Sequence, residues 1–144
     1  MAFSLRQVIF GLQSLFFLAA ALVAGCAQGP TRYPVEGTVI FADGGAAKEL
    51  AGGTVSFESE QDQSNVQGEI QADGSFRLAS PEGAEGVPAG RYRVLVLPPE
   101  PADPDNRPPA VIRENYHSYV HSGIVVTVEE RVNHFLIRVQ RATP

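Results

Sequence analysis

The sequence predicts an all-β fold, a seven-stranded antiparallel sandwich that follows an N-terminal signal peptide. Three observations carry this. Apolar and polar residues alternate in short runs, turn residues recur roughly every ten positions, and no stretch beyond residue 26 sustains a helical apolar period. Fourteen Gly and eleven Pro among 144 residues supply the turns, and the chain is 44% apolar and 19% charged, an ordinary globular composition.

The opening stretch, MAFSLRQVIFGLQSLFFLAAALVAGC, is organised for export. Arg6 provides a positive start. Val8 to Ala24 is a mostly apolar run of 17 residues, at the lower limit for crossing a bilayer core, and no basic cluster follows it. Small residues, Ala24 and Gly25, precede Cys26. This layout predicts a cleaved signal peptide over 1–25 and a tether over 26–33. Cys26 is the only cysteine, so no disulfide can close within the chain and the fold must rest on its core.

The strands follow in order. Val35, Gly37, Val39 and Phe41 fall on one face of the first, which Asp43-Gly44-Gly45 ends. Val55 and Phe57 mark the second, and Ser59 to Asn65 is a polar loop. Val66 to Gln71 and Ser75 to Ala79 make a hairpin about Ala72-Asp73-Gly74. A two-residue Asp-Gly turn would put Ile70 and Phe76 on opposite faces. A three-residue loop with Gly74 left-handed sets Ile70 opposite Phe76 and Gly68 opposite Leu78, so the apolar residues share a face. The type I turn with a G1 bulge is therefore predicted. Val87-Pro88-Ala89-Gly90 reads as a turn. Arg91 to Leu97 is the fifth strand, with Tyr92, Val94 and Val96 inward and Arg91 and Arg93 outward, within reach of Glu58 or Glu69. Pro98 and Pro99 end it, since neither donates to a ladder. A Pro-rich loop runs to Pro109, and Ala110 to Tyr119 holds one short helical turn. Ile124 to Val128 is the sixth strand, a β-aggregation hazard flanked by the charged Glu129, Glu130 and Arg131. His134 to Gln140 is the seventh, with Phe135, Ile137 and Val139 on one face. The strands make one domain, 34–141.

Two resemblances add to this reading. Val23-Ala24-Gly25-Cys26 resembles the lipobox of bacterial lipoproteins. In that family the peptide is cut before the cysteine and the sulfur carries a diacylglyceryl group. The resemblance implies that Cys26 is the lipid attachment site and that the protein is exported and held to a membrane of the bacterial cell envelope. The stretches VEGTVIFADG (35–44), GGTVSFES (52–59), GEIQADGSFRL (68–78) and GVPAGRYRVLV (86–96) resemble the carboxypeptidase regulatory-like, or transthyretin-like, β-sandwich domain. VIRENYHSYVHSGIVVTVEERVNHFLIRV (111–139) resembles a subgroup found as small bacterial lipoproteins. Glu129-Glu130-Arg131-Val132 departs from it, lacking the Gly usual in that hairpin. The resemblance implies an immunoglobulin-like or transthyretin-like sandwich without catalysis, acting structurally or through protein contacts. Hydroxyisourate hydrolases share the wider fold but end in Tyr-Arg-Gly-Ser, whereas this chain ends Gln140-Arg141-Ala142-Thr143-Pro144. That argues against a transthyretin-like hydrolase, and no enzyme is expected.

The remaining candidates for chemistry are sparse. A net charge of −5 without a basic cluster excludes nucleic acid as the expected partner. Asp103, Asp105 and Glu114 have calcium-loop spacing, but Arg107 and Pro108 stand where an oxygen ligand and a turn Gly are needed. His117 and His121 would share a helix face, yet Ser118, Ser122 and Gly123 are poor helix formers and no third ligand lies near. No metal and no cofactor is expected. Tyr116 and Tyr119, with His117 and His121, are the candidate ligand contacts. They would serve an alternative role as a carbohydrate- or cell-wall-binding module whose loop runs from Glu100 to Gly123.

Overall fold

The structure, a computed structural model, describes residues 29–143; the expected signal peptide and Cys26 lie outside the described residues. Nine strands make it up: β1 (Arg32–Tyr33), β2 (Val35–Phe41), β3 (Thr54–Ser59), β4 (Asn65–Glu69), β5 (Ser75–Arg77), β6 (Val87–Pro88), β7 (Gly90–Leu97), β8 (Val125–Val128) and β9 (Asn133–Val139). Short 3-10 turns occupy Lys48–Leu50 and Glu114–His117. One sheet has the order β5-β2-β9, the second β4-β3-β7-β8, and β1 pairs with β6 in a small ribbon.

The core lies between the two larger sheets and follows from the alternation. Val35, Val39 and Phe41 of β2, Val55 and Phe57 of β3, Tyr92, Val94 and Val96 of β7, and Ile137 and Val139 of β9 are all buried. Phe57 sits at its centre, with ring centroids 6.3 Å from Phe76, 6.2 Å from Tyr92 and 5.8 Å from Phe135. Gly37 is the inward position of β2 without a side chain. A Cβ there would strike the Phe76 ring and the Phe135 carbonyl, so the glycine makes room for an aromatic ring.

The expected strand count is corrected from seven to nine. The two additions, β1 and β6, are two residues long, too short to carry a period, and Val87-Pro88 forms a strand where a turn was expected. The pairing is also not antiparallel throughout, because β2 and β9 run parallel from Val35↔Asn133 to Phe41↔Val139. Both strands enter from the end where β1 and β6 pair, and that fixes their common direction. The first strand begins at Arg32, inside the stretch expected to be tether.

The Ile70–Phe76 hairpin has the predicted register. Gly74 has φ +85°, its N–H donates to Gln71 O at 2.9 Å, and Gln71 N–H donates to Ser75 O at 2.8 Å. Gln67 pairs with Ala79 further along, and Ile70 and Phe76 are both buried. The two arms then part, β4 joining β3 and β5 joining β2, so this hairpin bridges the two layers rather than lying in one.

Two side chains hold the sharp corners. The Tyr92 hydroxyl donates to Pro88 O at 2.9 Å, locking the Pro-Ala-Gly approach to β7. Asn133, 6% exposed, replaces the missing turn glycine. Its Oδ1 accepts from Glu129 N–H at 2.9 Å, and its Nδ2 donates to Glu129 O at 3.0 Å and Arg131 O at 2.6 Å. The side chain thus satisfies backbone groups that a tight turn would otherwise pair with one another.

Candidate functional site

The long connection from Pro98 to Ile124 carries the sequence-predicted ligand contacts, and the fold uses its aromatic residues as anchors. Tyr116 is 7% exposed and part of the core, and its hydroxyl accepts from Gln140 N–H at 3.2 Å. Tyr119 is half-buried over the outer face of β3, with its hydroxyl 2.7 Å from Ser56 Oγ. Ser56 Oγ in turn donates to Val66 O at 3.3 Å, so Tyr119 donates to Ser56. Each phenol meets a polar partner, and the Tyr116 ring packs in the core, the usual arrangement for a buried tyrosine. The Tyr116 ring is closed off from solvent, and the Tyr119 ring stays half-exposed. His117 closes the 3-10 turn and His121 lies in the following turn; both are exposed and they do not share a helix.

The outer face of the β5-β2-β9 sheet forms a shallow groove lined by Glu36, Thr38, Ser75, Arg77, His134 and Leu136. Cross-strand register aligns its side chains in rungs. Arg77, Glu36 and His134 share one rung; Ser75, Thr38 and Leu136 share the next. The Glu36 carboxylate pairs with Arg77 and lies 3.9 Å from His134 Nδ1. Ser75 Oγ donates to Asp73 Oδ1 at 2.6 Å, within the hairpin turn.

A second groove lies at the far end of the sandwich from β1. Pro98, Pro99, Pro101, Pro108, Pro109 and Val111 line it, with Glu49 and Arg107 at the rim. The turn between its walls is set by Asp103, whose Oδ1 accepts from Asp105 N–H at 3.0 Å and whose carbonyl accepts from Asn106 N–H at 3.2 Å. The Asp103 carboxylate is thus occupied in a surface turn, to which Asp105 contributes its backbone N–H. No group of three His, Cys, Asp or Glu side chains suited to a metal occurs among the described residues.

The shifted titrations all belong to turns, ion pairs and burial. The Gly45 N–H holds the Asp43 carboxyl below its ordinary value, and Arg141 does the same for Glu49. Hydrogen bonds from Ser64 and Ser75 lower Asp62 and Asp73, and Arg131 lowers Glu129. Burial raises the Tyr92 phenol. Arg141 stacks 3.5 Å over the Phe41 ring while bridging to Glu49 at 2.9 Å and Asp43 at 3.5 Å, so it ties the C-terminal segment to the far end. Of the arginines flanking Tyr92, Arg93 meets Glu58 at 2.6 Å as expected from the sequence. Arg91 meets Glu60 at 3.4 Å instead.

Sequence reasoning passed over Asn133 as a turn clamp and β9 as an open edge. The first had a signal, an Asn after a hairpin that lacks Gly. The second depends on strand order and had none.

The fold and these surfaces define an all-β sandwich domain. No protein-family model matches the chain, and no curated protein matches it. Among solved structures, it is similar to a DUF3823 family protein from Parabacteroides merdae ATCC 43184, with 15% identity and a TM-score of 0.43 over 78% of this chain and 48% of that one. The chain spans about half the length of that protein.

Proposed function

We propose that the chain is a lipid-anchored, non-catalytic β-sandwich of the bacterial cell envelope, exported from the cytoplasm, with a structural or protein-contact role. The lipobox resemblance at Val23-Ala24-Gly25-Cys26 supports the anchor, and the carboxypeptidase regulatory-like resemblance supports a module that acts by contact. The observation that carries the reading is where the fold begins. Arg32, six residues after Cys26, already pairs with Pro88. Six residues span at most roughly 20 Å, so a lipid on Cys26 would hold the sandwich against the membrane surface. Two or three acyl chains would make that attachment essentially permanent. The Pro-lined groove would then face away from the membrane.

Crosslinking in intact cells followed by mass spectrometry tests the contact role, with specific envelope proteins expected on the crosslinked sandwich. Saturable binding on a glycan array that Tyr119→Ala abolishes would replace this reading with the carbohydrate-binding one. Turnover of a purine-breakdown intermediate would replace it with the hydrolase.

A further inference from the structure

The two layers of the sandwich are unequal. Four strands, β4-β3-β7-β8, face three, β5-β2-β9. On one side the layers are joined by the Gln71–Ser75 turn and the Gln67–Ala79 bridge, and Val66, Ile70, Phe76 and Leu78 are all buried there. On the other side they are joined by the turn from Glu129 to Val132 and, beyond the end of β9, by the contacts of residues 111–116 with residues 140–142. Ile124, Val126 and Phe135 pack on the core but remain half-buried, because the smaller layer has no strand to lie over β8.

β9 exposes an unpaired edge at that place. Asn133 N–H donates to Pro34 O at 2.9 Å, and Val139 O accepts from Ala42 N–H at 2.8 Å. Backbone groups alternate in direction along a strand, so residues 133, 135, 137 and 139 face β2 while His134, Leu136 and Arg138 direct theirs outward. The three side chains are exposed as well, Leu136 by 53%. The chain itself begins a strand on this edge. Arg113 N–H donates to Gln140 O at 3.3 Å, Ala142 N–H donates to Val111 O at 3.0 Å, and Ile112 bridges Arg141 antiparallel. It then turns away at Glu114.

We propose that the free edge of β9 takes an extended segment of a partner protein in antiparallel register, continuing the line of residues 111–113 and completing a four-stranded layer. Its neighbours set its chemistry. Inward residues of the added strand would cover Ile124, Val126 and Phe135, so they are apolar. Among the described residues Arg138 makes no ion pair, so the residue opposite it is acidic. A second copy of β9 fits less well, since a two-fold about Leu136 sets Arg138 opposite His134 twice, and the Glu36 carboxylate beside His134 is already paired with Arg77. This deepens the protein-contact reading and does not depend on lipidation.

The test is residue-resolved amide exchange on the full-length protein, with the blocked peptide Ser-Glu-Val-Ile-Val-Glu-Ser as probe. In the free protein the amides of His134, Leu136 and Arg138 exchange at least about tenfold faster than those of Phe135, Ile137 and Val139, and saturating peptide removes the difference. Replacing both peptide glutamates by lysine weakens binding about threefold to fivefold, and Arg138→Glu reverses that preference. Leu136→Pro removes one outward N–H without touching the β2 ladder, so it abolishes the peptide effect; should that variant not fold, the Arg138→Glu reversal decides. No slowing at millimolar peptide, or slowing without charge preference, overturns the proposal. So does a free protein whose three amides are already protected and which sediments as a dimer, because the edge would then belong to a second copy. A crosslinked partner that maps to another surface would overturn this edge while leaving the contact role standing.

Discussion

Replacing Asn133 with Ala removes three hydrogen bonds at once, from Glu129 N–H and to Glu129 O and Arg131 O. Each such bond contributes about 1 kcal/mol net. Glu129 and Arg131 are exposed, so water recovers part of the loss. The expected destabilisation is about 2 kcal/mol, or roughly 8 °C in Tm for a domain of this size. The chain has no Trp, so urea unfolding is followed by tyrosine fluorescence, and the midpoint falls while the slope stays unchanged. Asn133→Asp adds a sign test. It keeps the acceptor for Glu129 N–H but turns a carboxylate toward two carbonyl oxygens, so the folded state favours the protonated acid. Its deficit relative to the parent therefore shrinks as pH falls through the carboxyl titration. A loss below about 0.5 kcal/mol for Asn133→Ala, within the range of ordinary surface changes, would refute the clamp.

Tyr119→Phe removes the donor to Ser56 and should cost about 1 kcal/mol, with faster amide exchange confined to residues 114–123; unchanged exchange there would show that the phenol does not hold the segment. Gly37→Ala drives a methyl into the Phe76 ring and the Phe135 carbonyl, and an expected loss of about 2 kcal/mol or more would appear in the same urea titration. The lowered carboxylates Asp43, Glu49, Asp62, Asp73, Glu82 and Glu129 each stabilise the fold while ionised. Stability is therefore complete above their ordinary values, 3.8 for Asp and 4.5 for Glu, and declines as pH drops below them. Denaturation midpoints that rise on acidification through that range would contradict the assignment.

Local chemistry made much of the fold legible. The Asp73-Gly74 pair and the demand that Ile70 and Phe76 share a face selected one hairpin register, because a slip by one residue turns a large apolar side chain to water. Alternation likewise identified the inward residues of β2, β7 and β9. What escaped the sequence was the relation between distant strands. β1 and β6 are ordered by pairing with each other, and two residues carry no period. The parallel pairing of β2 with β9 follows from where the chain enters and leaves the sandwich. Tyr116 and Tyr119 show the same limit. Their composition and loop setting suit a ligand platform as well as an anchor, and the anchoring contacts with Gln140 and Ser56 depend on strands far away in the chain.

Mass spectrometry of the N-terminal peptide, taken from protein extracted from membranes of the producing cells, tests the anchored reading most directly. The expected species begins at Cys26 and carries a diacylglyceryl group on sulfur, and Cys26→Ser leaves the uncleaved, unlipidated precursor. A mature chain that begins elsewhere with an unmodified thiol, or normal processing of Cys26→Ser, would contradict it.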